Sequence, residues 1–542
     1  MGVKIMADYW GQTHKLVSES DVQGIKIKVY NTRPRNLNET LAEAVRRFPD
    51  KVALVHEDQQ ITYKALKAKV NQIAWQLKNT YGIKKGDRVA FLLMNGIPFV
   101  AGVYAALQIG AVAVPLNTKL KATELEYMLT NSGAKILIAN KEWWPNVEPV
   151  RNAIPTEKIF ITDEQTPDRT LPFSRLIQGH PGEIEEEQLD EHDSAFIMYT
   201  SGTTGKPKGA LITHFNMIHT AMNYEHCYNL SSDDSTVIAV PVFHITGLAA
   251  QLITFIYLGG KIVLMPMFNP KKFLEILQNE HITHVIASPT VYVMTLMEPD
   301  LQDYKIESFR VGGFGGAPMP GETLVGLKKW IPNIELHNTY GLTETTSPAV
   351  IMPTEHQMQK ISSVGVPTPV TEVKIVNPDT NEEVMLGEVG ELVFKGPMVI
   401  REYWNNEEAT SKAIKDGWFS TGDLAMMDED GFITIMDRIK DMINRGGEKI
   451  YSVEVEDILY ANQKIMDAAI VGVPDDKYGE AVKACVVPRA GEELTEKDVQ
   501  DWVKERLAKY KVPKYVEIME VLPRNPNGKV IKTQLRYIPK FI

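Results

Sequence analysis

Eleven residues from Tyr199 to Gly209 alternate hydroxyls, glycines and lysines directly after an apolar run, Ala195 to Met198. Gly202, Gly205 and Gly209 allow backbone conformations closed to other residues. Thr200, Ser201, Thr203 and Thr204 supply hydrogen-bond donors, and Lys206 and Lys208 supply positive charge. Such a stretch cradles phosphate, and ATP is its obvious guest. It is not a Walker A loop, because Pro207 stands where that motif needs glycine and no Gly-Lys-Ser/Thr ending follows. Kinase or motor ATPase chemistry of that class is disfavoured. The dense composition and the strand-like lead-in also argue against a solvated Gly/Ser/Thr linker.

Further segments carry groups suited to chemistry: Phe243-His244-Ile245-Thr246-Gly247, Gly315-Gly316-Ala317-Pro318, and Tyr340-Gly341-Leu342-Thr343-Glu344-Thr345. Later come Ser420-Thr421-Gly422-Asp423, then Asp437-Arg438-Ile439-Lys440-Asp441, and near the end Pro523-Arg524-Asn525-Pro526-Asn527-Gly528-Lys529. In this order, over residues 40 to 535 or so, the set resembles the adenylate-forming superfamily of acyl-CoA synthetases, nonribosomal-peptide adenylation domains and beetle luciferases. The resemblance implies two half-reactions in one site. A carboxylate attacks the α-phosphate of ATP to give acyl-AMP and pyrophosphate, and a thiol then displaces AMP. Phosphorus chemistry of this kind needs charge neutralisation and in-line placement, which lysines, hydroxyls, backbone amides and Mg²⁺ can supply.

By the same resemblance, Thr200 to Lys208 hold the β- and γ-phosphates, Glu344 binds Mg²⁺, and Thr343 touches the α-phosphate. Tyr340 offers a flat face to adenine, and Gly315, Gly316 and Ala317 leave room on its other face. Asp423 accepts from both ribose hydroxyls with Arg438 reinforcing the contact, and Lys529 bridges the substrate carboxylate and the α-phosphate. His244 stands between the acyl site and the thiol entrance. Lys440 matches the hinge about which the small domain turns, withdrawing Lys529 and presenting Gly446 and Gly447 to a pantetheine arm. Acylation of Lys529 would remove the charge needed in the first step. The run Gly312 to Gly316 reads as a pocket wall with little side-chain bulk, roomy enough for an alkyl or aryl group.

The elements that must position these groups follow from periodicity. Leu37, Leu41, Ala44, Val45 and Phe48 make a helical stripe before the strand-like Val52 to Val55. Helix-like Phe99 to Leu107 precedes Ala111 to Pro115, and Phe273 to Glu280 precedes Val285 to Ala287, as parallel α/β layers require. Beyond about residue 364, strands at Glu372 to Val376, Gly390 to Phe394 and Phe432 to Met436 are separated by Asn/Asp/Gly turns. A compact α+β unit follows: Ala469 to Val473, Ala481 to Val487, a helix capped by Thr495, and Val516 to Met519. The expected fold is α/β, with a large N-terminal domain (residues 1–436) of layered α/β subdomains and a β subdomain at about 364–436. A hinge at 437–442 and a small, mobile α+β domain over 443–542 complete it.

Composition removes other classes. A net charge of -11 disfavours nonspecific nucleic-acid binding, although ten basic against three acidic residues from Lys504 onward leave the tail at +7. Two cysteines, with no CxxC, support neither a disulfide framework nor a zinc site. The apolar stretches Phe99 to Leu116 and Ile245 to Met265 are broken by glycine and proline or lysine, so each reads as buried helix then buried strand and not as a membrane span. The start has no apolar signal core, the end no peroxisomal signal and no appended carrier domain, and a cytoplasmic setting is expected. The expectation is an ATP-dependent carboxylic acid:CoA ligase with ATP, Mg²⁺ and CoA, acting on a medium- or long-chain fatty acid or an aryl acid, fatty acyl first; a homodimer is compatible. The rivals are an acyl-AMP ligase serving a carrier protein, a luciferase-like oxygenase, and a nucleotide sensor without turnover.

Overall fold

The computed structural model describes residues 9–22, 24–153, 158–179, 184, 187–200, 206–524 and 529–537. The chain forms two compact units, Met1–Val373 with Phe394–Phe419, and Lys374–Val393 with Ser420–Ile542. The β-rich stretch that begins near residue 364 is therefore divided between them.

Two largely parallel sheets organise the first unit. In the seven-stranded sheet the order is Lys208–Thr213, Ser194–Thr200, Val112–Pro115, Arg88–Leu92, Ile136–Ala139, Lys158–Ile161, Leu171–Pro172. All neighbours run parallel except the first pair. In the nine-stranded sheet six parallel strands run Glu335–Tyr340, Val311–Gly315, His284–Ala287, Ser235–Ile238, Lys261–Leu264 and Val52–His56, with antiparallel strands at both edges. Both faces of such strands are covered by helices, which is why Val112–Pro115, Ile136–Ala139 and His284–Ala287 are buried at every position. The helix Ile97–Gln108 is apolar all round and almost wholly buried. Asn36 caps Leu37–Arg47 by accepting from the amides of Asn38 and Glu39, and Leu37, Leu41 and Ala44 of the predicted stripe are buried. The predicted break in Ile245 to Met265 is a helix ended by Gly259 in the left-handed conformation, then the strand Lys261–Leu264. Among the described residues no helix is long and apolar enough to cross a membrane.

The second unit is built on the antiparallel pair Ile465–Asp475 and Gly479–Pro488, with Tyr515–Ile518 parallel to the latter. Helices Ser452–Tyr460 and Glu496–Lys504 complete it, the second closed by a capping box between Thr495 and Asp498. One hairpin escaped the sequence reading: Val17–Val22 and Ile25–Tyr30 pair in full register. Only its second strand alternates apolar with charged residues, while the first runs Ser-Glu-Ser-Asp between two valines and passes for an exposed tail.

Candidate active site

The predicted phosphate loop is flanked by two paired strands. Ser194–Thr200 pairs antiparallel with Lys208–Thr213, and Thr200 stands opposite Lys208. Ser201, Gly202, Thr203, Thr204 and Gly205 lie outside the described residues. The flanks are held by aromatic rings: Lys206 Nζ is 5.3 Å from the Tyr127 ring centre and Lys208 Nζ 5.1 Å from that of Tyr403. The Tyr127 hydroxyl donates to the carbonyl of Pro207 at 3.0 Å, which fixes the loop's return.

Glu344 lies in the single turn Thr343–Thr345 that follows the strand Glu335–Tyr340. Thr346 and Ser347 follow with φ of 51° and 66°, a left-handed pair of non-glycine residues. Such backbone persists only where neighbours over-determine it. Here the Thr220 hydroxyl donates to the Thr346 carbonyl at 2.9 Å, and Tyr224 bonds the Ser347 hydroxyl at 2.9 Å. The result holds the Glu344 carboxylate buried, with Oε1 accepting from the Tyr403 hydroxyl at 2.9 Å. Burial first, then the Glu344 charge, pushes the Tyr403 hydroxyl well above its ordinary pKa, so it keeps the proton it donates to Glu344. Tyr403 thus touches Lys208 on one side and Glu344 on the other. Sequence reading missed it, since nothing in Arg401-Glu402-Tyr403-Trp404 signals chemistry.

Among the described residues no group of three His, Cys, Asp or Glu could hold a metal. A lone buried carboxylate does not make a zinc or calcium cage. It does fit Mg²⁺, which keeps waters and phosphate oxygens and takes one or two carboxylates from the protein.

Of the residues expected to meet adenine, Tyr340 is half-buried with its ring 6.1 Å from that of Phe394. At Gly315 a Cβ would stand 2.2 Å from the Thr339 carbonyl oxygen, so only glycine fits. Gly316 and Ala317 are exposed, and among the described residues nothing beyond its chain neighbours lies within 4 Å of a Cβ on Gly316. The roomy wall expected from Gly312 to Gly316 needs correction. A Cβ on Gly312 would meet Ile334 and Leu336 at 3.0 and 3.1 Å, and one on Gly313 would meet the Tyr228 hydroxyl at 2.7 Å. Neighbouring side chains take the space that those two glycines leave.

His244 is half-buried, its ring 5.1 Å from Phe243, just before the π-helix Thr246–Ile253. Wide helical turns of this kind mark functional sites. Gly247 is required here, since a Cβ would come within 2.5 Å of the Pro241 carbonyl oxygen.

In the second unit Asp423 and Arg438 face each other across two antiparallel strands, and Arg438 Nε is 3.0 Å from Asp423 Oδ1. Asp423 is buried. Lys440 sits in the turn after the strand Ile433–Arg438, and its carbonyl accepts from Arg536 at 2.7 Å. Gly446 and Gly447 have φ of 64° and 96° and form the two-residue turn between Ile443–Arg445 and Glu448–Ile450. Two positive φ values in a two-residue hairpin turn explain both glycines without a ligand. Lys529 is exposed; beside it the bridge Arg524 to Val530 and the 2.5 Å pair of Arg524 with Asp467 fasten the segment. Asn525, Pro526, Asn527 and Gly528 lie outside the described residues.

Two ion networks of this unit were also missed, one half-buried and one around a buried lysine. Lys532 Nζ reaches Ser452 Oγ and Glu456 Oε1, each at 2.7 Å, and Ser452 donates from its amide and hydroxyl to Asp437. Lys483 is fully buried, paired with Glu517 at 2.6 Å and donating to the carbonyls of Leu535 and Tyr537. A lysine inside the apolar run Ala481 to Val487 was the available signal.

Comparison with known proteins identifies the family. Residues 41–404 match the family model for AMP-binding enzymes, and residues 454–529 the model for the AMP-binding enzyme C-terminal domain. A feruloyl-CoA synthase of Amycolatopsis is 35% identical over 93% of this chain and 99% of its own. A long-chain-fatty-acid–CoA ligase of Mycobacterium tuberculosis is 34% identical over 88% of this chain and 93% of its own. The structure of o-succinylbenzoate coenzyme A synthetase from Bacillus subtilis, in complex with ATP and a magnesium ion, superposes with a TM-score of 0.84 at 32% identity, covering 93% of this chain and all (100%) of that one. The chain therefore belongs to the AMP-binding enzyme family, among the AMP-forming acyl-CoA synthetases of the adenylate-forming superfamily.

Proposed function

We propose that the acid activated by this ATP-dependent acid:CoA ligase has a compact body, an aryl acid or a medium-chain fatty acid, and that free CoA accepts the acyl group. One observation carries the choice. The Tyr228 hydroxyl fills the space beside Gly313 and bonds Thr339 Oγ1 at 2.5 Å, which shortens the room behind the carboxyl ends of Val311–Gly315 and Glu335–Tyr340. Ligands of open α/β sheets bind at those ends. The feruloyl-CoA synthase among the relatives supports a compact aryl acid. A long-chain fatty acid, one of the medium- or long-chain fatty acids expected first from sequence, is the second reading, favoured by the fatty-acid ligase relative.

In the first half-reaction a carboxylate oxygen attacks the α-phosphorus and pyrophosphate leaves. In the second, the CoA sulfur attacks the acyl carbonyl and AMP leaves. The loop from Thr200 to Lys208 holds the terminal phosphates, Thr343 touches the α-phosphate, and Tyr340 stacks on one face of adenine with Gly315, Gly316 and Ala317 on the other. Asp423, with Arg438, takes the ribose hydroxyls, and Lys529 offsets charge on the carboxylate and α-phosphate. Mg²⁺, when bound, neutralises phosphate charge; Glu344 holds it, and Tyr403 fixes that carboxylate. His244 borders the acyl group, Lys440 acts as hinge, and Gly446 with Gly447 admits the pantetheine arm. Two free, buried cysteines fit the expected cytoplasmic setting; sizing chromatography checks for a homodimer.

The test is pyrophosphate and AMP release with ATP, Mg²⁺ and a panel of aryl, medium-chain and long-chain acids, with and without CoA. CoA-dependent multiple turnovers confined to compact acids are expected. Turnover only with long chains would reverse the acid assignment. A single equivalent of pyrophosphate, unaffected by CoA, would point to a carrier-protein acceptor.

A further inference from the structure

Behind Tyr228 lies a polar layer that adenylation does not use. Strand partners in a parallel sheet share a face, as do residues two apart on one strand. By the registers Thr236 beside His284, His284 beside Val311, and Gly313 beside His337, one face of the nine-stranded sheet presents Thr236, His284, the bare Gly313 and His337. The Tyr228 ring stacks on His337 at 4.5 Å and lies 5.7 Å from His284. Gln251, from the π-helix, accepts from the Thr236 hydroxyl at 3.0 Å. Tyr228, Gln251, His284 and His337 are all buried.

The hydrogen bonds that are made dictate which capacities remain. His337 Nδ1 lies 2.8 Å from the Met352 carbonyl, so this nitrogen carries the proton and Nε2 a lone pair. Thr236 spends its proton on Gln251, so at 3.1 Å His284 Nδ1 must donate to Thr236, and its Nε2 is a lone pair too. Both Nε2 atoms and the Gln251 amide nitrogen are without a hydrogen-bond partner among the described residues. Burial keeps the imidazoles neutral, lowering His284 to about 3 and His337 to about 4. Two acceptors and one donor, all uncharged, therefore remain unused in this buried layer. Thr339, next to the adenine-facing Tyr340, is two residues above His337, about 7 Å along the strand, the reach of one ring with a short spacer.

We infer that Tyr228, Gln251, His284 and His337 form the end wall that reads the distal group of the acid, and that this group is a neutral hydroxyl, donating to an imidazole Nε2 and accepting from the Gln251 amide. The assignment rests on the compact-acid reading above. A second carboxylate finds lone pairs and no cation in this set. An unsubstituted ring or alkyl end leaves buried acceptors unpaired, the arrangement by which a site built for a hydroxyl rejects the analogue lacking it.

The experiment compares kcat/KM for 3-(4-hydroxyphenyl)propanoate and 3-phenylpropanoate, with hexadecanoate alongside. The wild-type enzyme should prefer the hydroxylated acid by at least about tenfold. His337→Leu should collapse that ratio towards one, and His337→Gln, which keeps an acceptor near the Nε2 position, should retain most of it. Equal use of both acids by the wild type, or a ratio unmoved in His337→Leu, would overturn the assignment and leave the layer a holder of buried water. Should His337→Leu fail to fold, the wild-type ratio decides alone. Turnover of hexadecanoate with both compact acids refused would sink the compact-acid reading and this assignment with it.

Discussion

The first unit carries all twelve histidines of the chain and the second carries none, and the buried imidazoles of the one contrast with the lysine–glutamate pairs of the other. In the first, His214, His219, His284 and His337 lie buried among apolar residues, and desolvation lowers them to about 4, 3, 3 and 4. In the second, Lys483 and Lys532 are paired with Glu517 and Glu456, and burial pushes the carboxyls of Glu456 and Asp437 up. The difference teaches two modes of fragility. A neutral imidazole layer costs stability when the unfolded chain can bind protons that the folded one refuses. A buried ion network costs stability when one member is removed and its partner is stranded.

The largest expected effect would break or sharpen that contrast by acid alone. Between pH 7 and 5 the unfolded chain protonates its histidines near 6.5 while the four buried ones stay neutral, so the unfolded state binds more protons and stability falls as pH falls. Each site contributes up to about 2 kcal/mol at pH 5, several kcal/mol in sum, before most carboxylates titrate. Hydrogen exchange should show the helix His214–Cys227 losing protection over this range while the strand Gly479–Pro488 changes little. Equal loss in both would erase the distinction.

Next is Lys532→Met, which strands Glu456 and is expected to destabilise the second unit by about 3–5 kcal/mol in urea unfolding, with Glu456→Leu added to it recovering much of the loss. No recovery in the double variant would mean that the pair is not the source.

Lys529→Ala, at an exposed position, should leave stability alone and slow acyl-AMP formation about 10²- to 10³-fold while sparing thioester formation from supplied acyl-AMP. Lys440→Pro should do the reverse. Both half-reactions falling together in either variant would remove the division of labour assigned to the second unit.

The smallest effect is expected at Tyr403→Phe. Loss of its hydrogen bond to Glu344 should raise the Mg²⁺ concentration for half-maximal adenylation about tenfold. An unchanged Mg²⁺ requirement would detach Tyr403 from the metal site.

Much of the architecture was legible because it rests on periodicity and caps. The helix after Asn36, the strand from Ala469 and the helix opened by Thr495 all stand where short-range pattern put them. What escaped was long-range. Tyr403 meets Glu344 across 59 positions of chain and Lys532 meets Ser452 across 80. The glycines at 312 and 313 misled for the same reason, since a missing side chain announces space but not which neighbour fills it.

By itself the sequence determined the class of protein: the order of phosphate-binding, nucleotide-binding and terminal lysine motifs specifies the adenylating family, because each motif is a local arrangement of residue types. Tertiary structure decided what surrounds those motifs. Only packing puts Tyr228 against Gly313, gives His284 and His337 their tautomers through distant partners, and stations Tyr403 between Lys208 and Glu344. Burial and hydrogen-bond partners are set by residues remote in sequence, and they determine whether a histidine is charged, which of its nitrogens can accept, and how much room an acid has.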